Sequence, residues 1–371
     1  MVAKFYALVM MSLLTLCKQK DLNPPSSEPA AVDFEWVVQE TNIPWGMAVL
    51  PDGSLLYTEK EGIFYHVTDG KKREVGRPEE IYLRGQGGLL DICLHPDFKN
   101  NKKLYFTLSR QPNGEKGGNT ALFSAEFDGN TIQNTKLLYQ ATPLTTAGHH
   151  FGSRIVFDKK GYLYFTIGDR GDRDLNPQDV NRDGGKVYRL NDDGSVPADN
   201  PFKGNDGKPN AVFSYGHRNL QGMSVHPSTD EVWTNEHGPK GGDEINIIKK
   251  GANYGWPVIT YGKEYSGLTI TDETSRPGME QPLYYWIPSI APSGMCFVDA
   301  DVYPDWKGNV LVGSLVFEYL ERLELKDNKV VARHKLFEDM GRVRNVITAP
   351  DGMTYVAIEN KGILKIKPQK K

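Results

Sequence analysis

The stretch Gly161–Asp169, GYLYFTIGD, decides the fold. A glycine turn opens it, and apolar, aromatic and β-branched residues follow in the pattern of a strand. The phrase recurs as GSLLYTE from Gly53, KKLYFTLS from Lys102, DEVWTNEH from Asp230, GNVLVGSL from Gly308 and GMTYVAIE from Gly352. A second apolar strand and a polar turn lead into each copy, as in SRIVFDKKG from Ser153 and NVITAPDG from Asn345. Successive copies start between 44 residues (Gly308 to Gly352) and 78 residues (Asp230 to Gly308) apart. That spacing suits propeller blades with insertions in their loops. Six units predict an all-β chain, a six-bladed β-propeller with long loops on one face. Such a fold collects its loops around one axial pocket, where chemistry is usually built. The last strand, GILKIK from Gly362, is expected beside the N-terminal strand FEWVVQE from Phe34, closing the ring and removing exposed edges.

A chain of 371 residues would suit two or three average domains, but a propeller uses this length as one body. Hydrophobic residues at 39% and charged residues at 25% describe a globular chain. The net charge of −3 gives no reason to expect nucleic acid as a partner. The three cysteines, Cys17, Cys93 and Cys296, are too few for a disulfide scaffold, and the latter two sit in apolar runs as buried thiols. HExxH and paired-cysteine motifs are absent, so zinc chemistry is unsupported. No GxGxxG joins a strand to a helix, which leaves no site for NAD or FAD.

The N-terminus has the pattern of an export signal. Lys4 supplies the positive charge, and FYALVMMSLLTL supplies an apolar segment too short to span a bilayer. Cys17 ends it, and the polar, Pro- and Ser-rich DLNPPSSEP follows shortly after. Residues 1–17 are therefore expected to be a lipoprotein signal peptide, residues 18–31 a flexible tether and 32–371 the propeller. The protein is expected in the periplasm, or anchored to the outer membrane through Cys17. Ordinary cleavage to a soluble periplasmic protein is the alternative.

No long 3.6-residue period occurs, so helices should be few. The longest loop-like stretch runs from about Arg170 to Asn210, dense in Gly, Asp, Asn and Pro. A second follows Tyr261 and ends near Pro282; with YYWIPSIAPSG it should line the entrance to the pocket. Trp286 in that segment could stack on a sugar ring or pack in the core.

Four polar segments break the strand pattern: AGHHFGSR with His149 and His150, YGHRNLQG with His217, Arg218 and Asn219, NEHGPKGGDEIN with Gly238, Pro239, Asp243 and Glu244, and GRVRNV with Arg342 and Arg344. Equivalent positions in successive blades face one rim, so these groups can converge. Each alone has a plain structural account. A histidine in a turn is commonly solvated, as His95 and His226 before proline would be. Arg342 and Arg344 share a strand face and repel unless solvated or facing an anion. Asp243 and Glu244 suit a wet surface or a hard cation. The string DRGDRD after Gly168 lacks EF-hand spacing.

Taken in order, these segments resemble the glucose/sorbosone dehydrogenase family, soluble quinoproteins that use pyrroloquinoline quinone (PQQ) and calcium on a six-bladed propeller. The carriers are GQGGLLDICLHPDF, GHHFGSRIVFDKKGYLYFTIGDRGD, GKVYRLNDDGSVPADNPF, SYGHRNLQGM, NEHGPKGGDEINIIKKGANYGWP and RVRNV, and the likeness runs from about Ile43 to Lys367. The resemblance implies that His150 is the general base and that Asp169 orients it. It implies that Arg218 and Asn219 stand near the quinone oxygens and that Gln86 contacts the cofactor. It further implies that the carbonyls of Gly238 and Pro239 hold the active-site calcium, that Asp243 and Glu244 ligate a structural calcium, and that Arg342 and Arg344 bind cofactor carboxylates. Two positions depart from the family pattern: His149 stands where glucose-oxidising members often carry an acid, and Val316 stands at or near a cofactor-binding lysine.

The implied activity is oxidation of an aldose at its anomeric carbon to a lactone, with electrons passed to an external acceptor. A histidine suits the base, being largely neutral near pH 7, and a buried carboxylate can fix its tautomer. Arginines offer planar forks to the three carboxylates of PQQ. Two other readings stand beside this one: a propeller of the same family that only binds, and a calcium-dependent lactonase, whose axial metal would need side-chain oxygens and which has no tricarboxylate to hold. Fold alone does not separate them.

Overall fold

In the computed structural model, which describes residues 26–27 and 32–368, each repeated phrase is the second strand of a sheet. These strands are Leu55–Glu59, Lys103–Arg110, Leu163–Ile167, Val232–Glu236, Val310–Ser314 and Thr354–Ile358. The six sheets form the six expected blades, each an antiparallel run of four strands. Their first strands, Pro44–Val49, Leu89–Leu94, Ile155–Phe157, Leu220–Val225, Pro292–Phe297 and Val343–Thr348, stand around the axis and touch in succession. The ring closes where Phe34–Gln39 pairs antiparallel with Gly362–Ile366, the N-terminal strand completing the last blade. Ser26–Ser27 adds a short parallel strand outside Lys329–Leu336. The signal-peptide and lipid-anchor expectation for residues 1–17, and most of the tether, lie outside the described residues.

Each blade is covered by a neighbour on both faces, so five of the six second strands are buried throughout rather than on alternate residues, and Lys103–Arg110 is half-buried only at its two ends. Aromatic pairs join the blades: Tyr105 meets Phe157 at 5.1 Å and Trp233 meets Phe297 at 5.1 Å, both edge-on. Helix among the described residues is confined to the turns Phe98–Asn101 and Pro304–Trp306. The stretch from Arg170 to Asn210 is not all loop. Lys186–Leu190 lies within it as the third strand of the third blade. Its charged residues hid it: Lys186 is buried with its ammonium on the carbonyls of Asn176 and Gly184, and Arg189 is buried against Asn200 and Asp199.

Antiparallel pairing decides where the site forms. The start of each first strand lies opposite the end of each second strand, as Pro44 opposite Glu59, Leu220 opposite Glu236 and Val343 opposite Ile358. Turns entering the first strands therefore meet the residues that end the second strands on one rim. Five of the six inner pairs carry a register irregularity near that rim. Bulges of this kind twist a strand and re-aim its side chains.

Candidate active site at one rim of the propeller

His150 lies in the turn entering the third blade, with φ at +56°. Gly168 permits this, because a Cβ there would come within 2.5 Å of the His150 carbonyl oxygen. The backbone N–H of His150 donates to Gln86 Oε1 at 2.8 Å. Its Nδ1 donates to Asp169 Oδ1 at 2.6 Å, which leaves Nε2 as the unprotonated nitrogen. Asp169 ends the second strand of the same blade and is buried. It also accepts the Trp256 Nε1–H at 2.9 Å and the Gly171 N–H at 2.8 Å. Burial works to raise the Asp169 pKa. The hydrogen bond and charge of His150, with Arg218 and Gly171, outweigh it and hold the carboxyl below its usual range. Burial lowers the His150 pKa, aided by Arg218 and Arg170, against the opposing pull of Asp169. The pair is a neutral imidazole backed by a carboxylate.

Arg218 and Asn219 enter the fourth blade beside it. Arg218 Nη1 donates to the carbonyls of Gly238 at 2.8 Å and His237 at 3.2 Å, and its guanidinium lies 5.4 Å from the Trp256 ring centroid. Glu236 holds this turn, accepting the Arg218 backbone N–H at 2.6 Å and His217 Nδ1 at 2.8 Å. His217 is thus a buried structural partner. Two donors here, Arg218 Nε and Asn219 Nδ2, are buried without a partner. Buried unsatisfied donors are uncommon in native proteins and call for an explanation.

Arg342 and Arg344 enter the sixth blade and both bind Glu359 just beyond the end of its second strand, Arg342 Nε at 2.8 Å and Arg344 Nε at 2.7 Å. Burial raises the Glu359 pKa, but the two arginines prevail and keep the carboxyl ionised. A cavity of about 400 Å³ opens here, lined by Lys60, Gln86, Gln221, His237, Arg342 and Arg344 among others. Leu315 and Val316 form apolar wall in it. His237 is neutral: burial, then the charge of Arg218, pushes its pKa down to about 3. A second cavity of about 550 Å³ holds His149, His150, Asp169, Arg218, Pro239 and Tyr265. Gln86 lines both, so the two chambers meet beside the base. Over the second chamber, Arg173 reaches Glu264 at 2.6 Å, tying the loop after Asp169 to the loop after Tyr261. His149 is exposed at this rim with its ring edge-on to His150 at 4.8 Å.

The acidic positions behave differently from each other. Asp243 Oδ1 accepts the Gly238 N–H at 2.8 Å, Oδ2 accepts the N–H groups of Ile290 and Ala291, and Ser289 Oγ reaches both oxygens. These donors occupy its carboxylate, which anchors the Gly238 turn. Glu244 is less engaged. It shares the Asn246 amide with Glu236, each carboxylate accepting at 3.0 Å, and Asn246 Oδ1 is buried with no partner. Trp286, a candidate sugar platform, is instead core: it is buried, and its Nε1–H donates to Glu321 at 2.7 Å.

Arg154, in the stretch SRIVFDKKG, also has a structural part. It is buried on the axis, 3.0 Å from Asp91, over Trp45 at 4.1 Å, and bonded to the carbonyls of Gln221 and Arg344. Three of the residues it touches, Trp45, Gln221 and Arg344, line the 400 Å³ cavity. On its other side lies a cavity of about 430 Å³, mainly apolar, with Cys93 and Cys296 in its wall. Of the charged residues bordering that space, Asp91 and Arg154 are paired with each other, and Asp299 stands apart from them.

A closed propeller with a carboxylate-backed histidine beside a cation-lined cavity defines a propeller with one candidate catalytic rim. The chain belongs to the glucose/sorbosone dehydrogenase family, whose description matches residues 41–365. It is 37% identical over 350 residues to the aldose sugar dehydrogenase YliI of Escherichia coli, spanning 92% of this chain and 94% of that one. It is 31% identical over 304 residues to quinoprotein glucose dehydrogenase B of Acinetobacter calcoaceticus, spanning 73% of this chain and 63% of that one. Among solved structures, the PQQ-bound aldose sugar dehydrogenase of Streptomyces coelicolor superposes with a TM-score of 0.75 at 29% identity, covering 93% of this chain and 99% of that one.

Proposed function

We propose that this protein oxidises the anomeric carbon of an aldose to a lactone with PQQ and Ca²⁺, and passes the electrons to an external acceptor. Family membership makes it a sugar oxidoreductase of the quinoprotein class. The observation that carries the finer reading is the 2.6 Å His150–Asp169 pair at the junction of the two chambers.

His150 Nε2 takes the proton of the anomeric hydroxyl. Asp169 keeps the ring in the required tautomer and stabilises the imidazolium that forms. When bound, PQQ supplies the hydride-accepting carbonyl that no side chain has. The residues fit such a group: Arg218, whose Nε is orphaned, lines the second chamber, Gln86 lines the junction, and Arg342 and Arg344 suit carboxylates, while the orphaned Asn219 Nδ2 lines neither chamber. The carbonyls of Gly238 and Pro239 would hold the active-site calcium, a hard ion content with main-chain oxygens. A second calcium would sit at Glu244 beside Glu236, where two carboxylates share one buried amide. The substrate enters past Tyr265 and the Arg173–Glu264 bridge. The chain is also proposed to be exported to the periplasm with Cys17 as lipid attachment; mass spectrometry showing an unmodified terminus beyond Cys17 would remove the lipid.

The test is reconstitution. Apo-protein given PQQ and Ca²⁺ should reduce a dye with one or more aldoses, and no turnover across a broad aldose panel would overturn the reading.

Calcium has its own signature. Burial, then the charge of Glu236, raises the Glu244 pKa above the ordinary glutamate value of 4.5. Between that value and the raised one the folded state holds a proton that the unfolded state has lost. Metal-free stability therefore falls as pH rises across this window. A cation on ionised Glu244 offsets the loss, so Ca²⁺ should raise Tm more at pH 8 than at pH 5. At a hundred times Kd the gain is about 2.7 kcal/mol. Glu244→Gln should abolish the pH dependence of that gain; a wild type indifferent to Ca²⁺ would rule out this site.

A further inference from the structure

Four charged side chains line the 400 Å³ cavity: Lys60, Arg342, Arg344 and Glu359. Glu359 binds both arginines, and His237 contributes no charge. The cation left over is Lys60. Its ammonium donates to the Gly85 carbonyl at 3.1 Å and has no carboxylate partner among the described residues. A lysine turned toward a half-buried cavity with only a carbonyl for company is an unspent charge.

Its placement is fixed by the fold. The Lys60 N–H donates to Ile43 at 3.1 Å and its carbonyl accepts from Leu89 at 2.9 Å. Gly88 leaves room for the stem, since a Cβ there would come within 2.6 Å of Lys60 Cγ. The loop that Lys60 touches is also the one that holds the base: Gln86 N–H donates to Gly148, and Gln86 Oε1 accepts from His150. Elsewhere in the cavity, Leu315 and Val316 offer no charge.

We propose that Lys60 ion-pairs with a carboxylate of the bound cofactor, supplying a cation that the Val316 side of the cavity lacks. The inference rests on the PQQ reading above. With Lys60 the cavity carries three cations against one carboxylate. Without it, one of two remaining positive charges is cancelled by Glu359, which suits a tricarboxylate poorly.

The experiment is titration of apo-protein with PQQ in Ca²⁺, followed by PQQ absorbance at several salt concentrations. Lys60→Met should weaken Kd by about ten- to a hundredfold. It should also flatten the dependence of log Kd on log salt, which a merely structural lysine would leave alone. Lys60→Arg should bind close to wild type, and unchanged Tm in both variants shows that the fold holds. If wild type binds and Lys60→Met binds equally well, Lys60 is not a cofactor contact and the proposed function stands. If wild type does not bind PQQ at all, both fall.

Discussion

Replacing His150 by alanine should lower kcat by about 10²- to 10⁴-fold, the usual contribution of a positioned general base. The propeller should stay folded. Asp169 keeps two donors in the variant, Trp256 Nε1–H and the Gly171 N–H, so its buried carboxylate is not orphaned. The bond from the His150 backbone N–H to Gln86 Oε1 does not use the imidazole and survives as well. Wild-type enzyme should also show the titration of this group. The base works only when neutral, so kcat/KM rises as pH climbs through its pKa and is flat above. Burial sets that pKa below the ordinary histidine value of 6.5, so the plateau should begin on the acid side of a free imidazole. Both effects are read by dye reduction with saturating PQQ and Ca²⁺. Near-normal turnover in His150→Ala would remove His150 from the chemistry.

How much of this could be read from the chain depends on how local each signal is. The repeated phrase is local, and it located the second strand of every blade. The groups His149–His150, Arg218–Asn219 and Arg342–Arg344 could be noticed because they interrupt strands. Their supports were harder to see. Four phrases end in or directly against a carboxylate: Glu59, Asp169, Glu236 and Glu359. Each sits at the rim and holds a neighbouring turn: Glu59 takes the N–H groups of Asn42 and Ile43, Asp169 takes His150, Glu236 takes Arg218, and Glu359 takes both arginines. That recurrence stands in the sequence, yet only Asp169 takes a role from the family resemblance. Trp256 and Arg154 had no such signal. Trp256 acts on a residue 87 positions away, and Arg154 joins groups from several blades; only closure of the ring brings them together. Asp243 and Trp286 each allow two readings for the opposite reason. Their residue types suit a ligand or sugar contact as well as a structural role, and the fold uses their polar atoms on its own backbone and on Glu321, which for Trp286 is the core alternative.

Arg344→Met should damage cofactor binding and stability together, and a second substitution separates the two. Arg344 is mostly buried, and it shares Glu359 with the more exposed Arg342. Losing it leaves Glu359 buried with one cation, which should cost about 1.5–3 kcal/mol of stability, the worth of a charge-assisted hydrogen bond. PQQ affinity should fall by at least about tenfold for the same reason, since a carboxylate loses a planar partner. In Arg344→Met/Glu359→Gln the buried charge is gone, and the amide can still accept from Arg342 Nε. The denaturant midpoint should therefore recover most of its loss. PQQ affinity should not recover, because the net charge of the cavity is restored but the fork that met the ligand is absent. Recovery of both would mean that Arg344 serves only to neutralise Glu359. The cavity would then have to hold a tricarboxylate through Arg342 and Lys60, and the part assigned to the second arginine would be wrong.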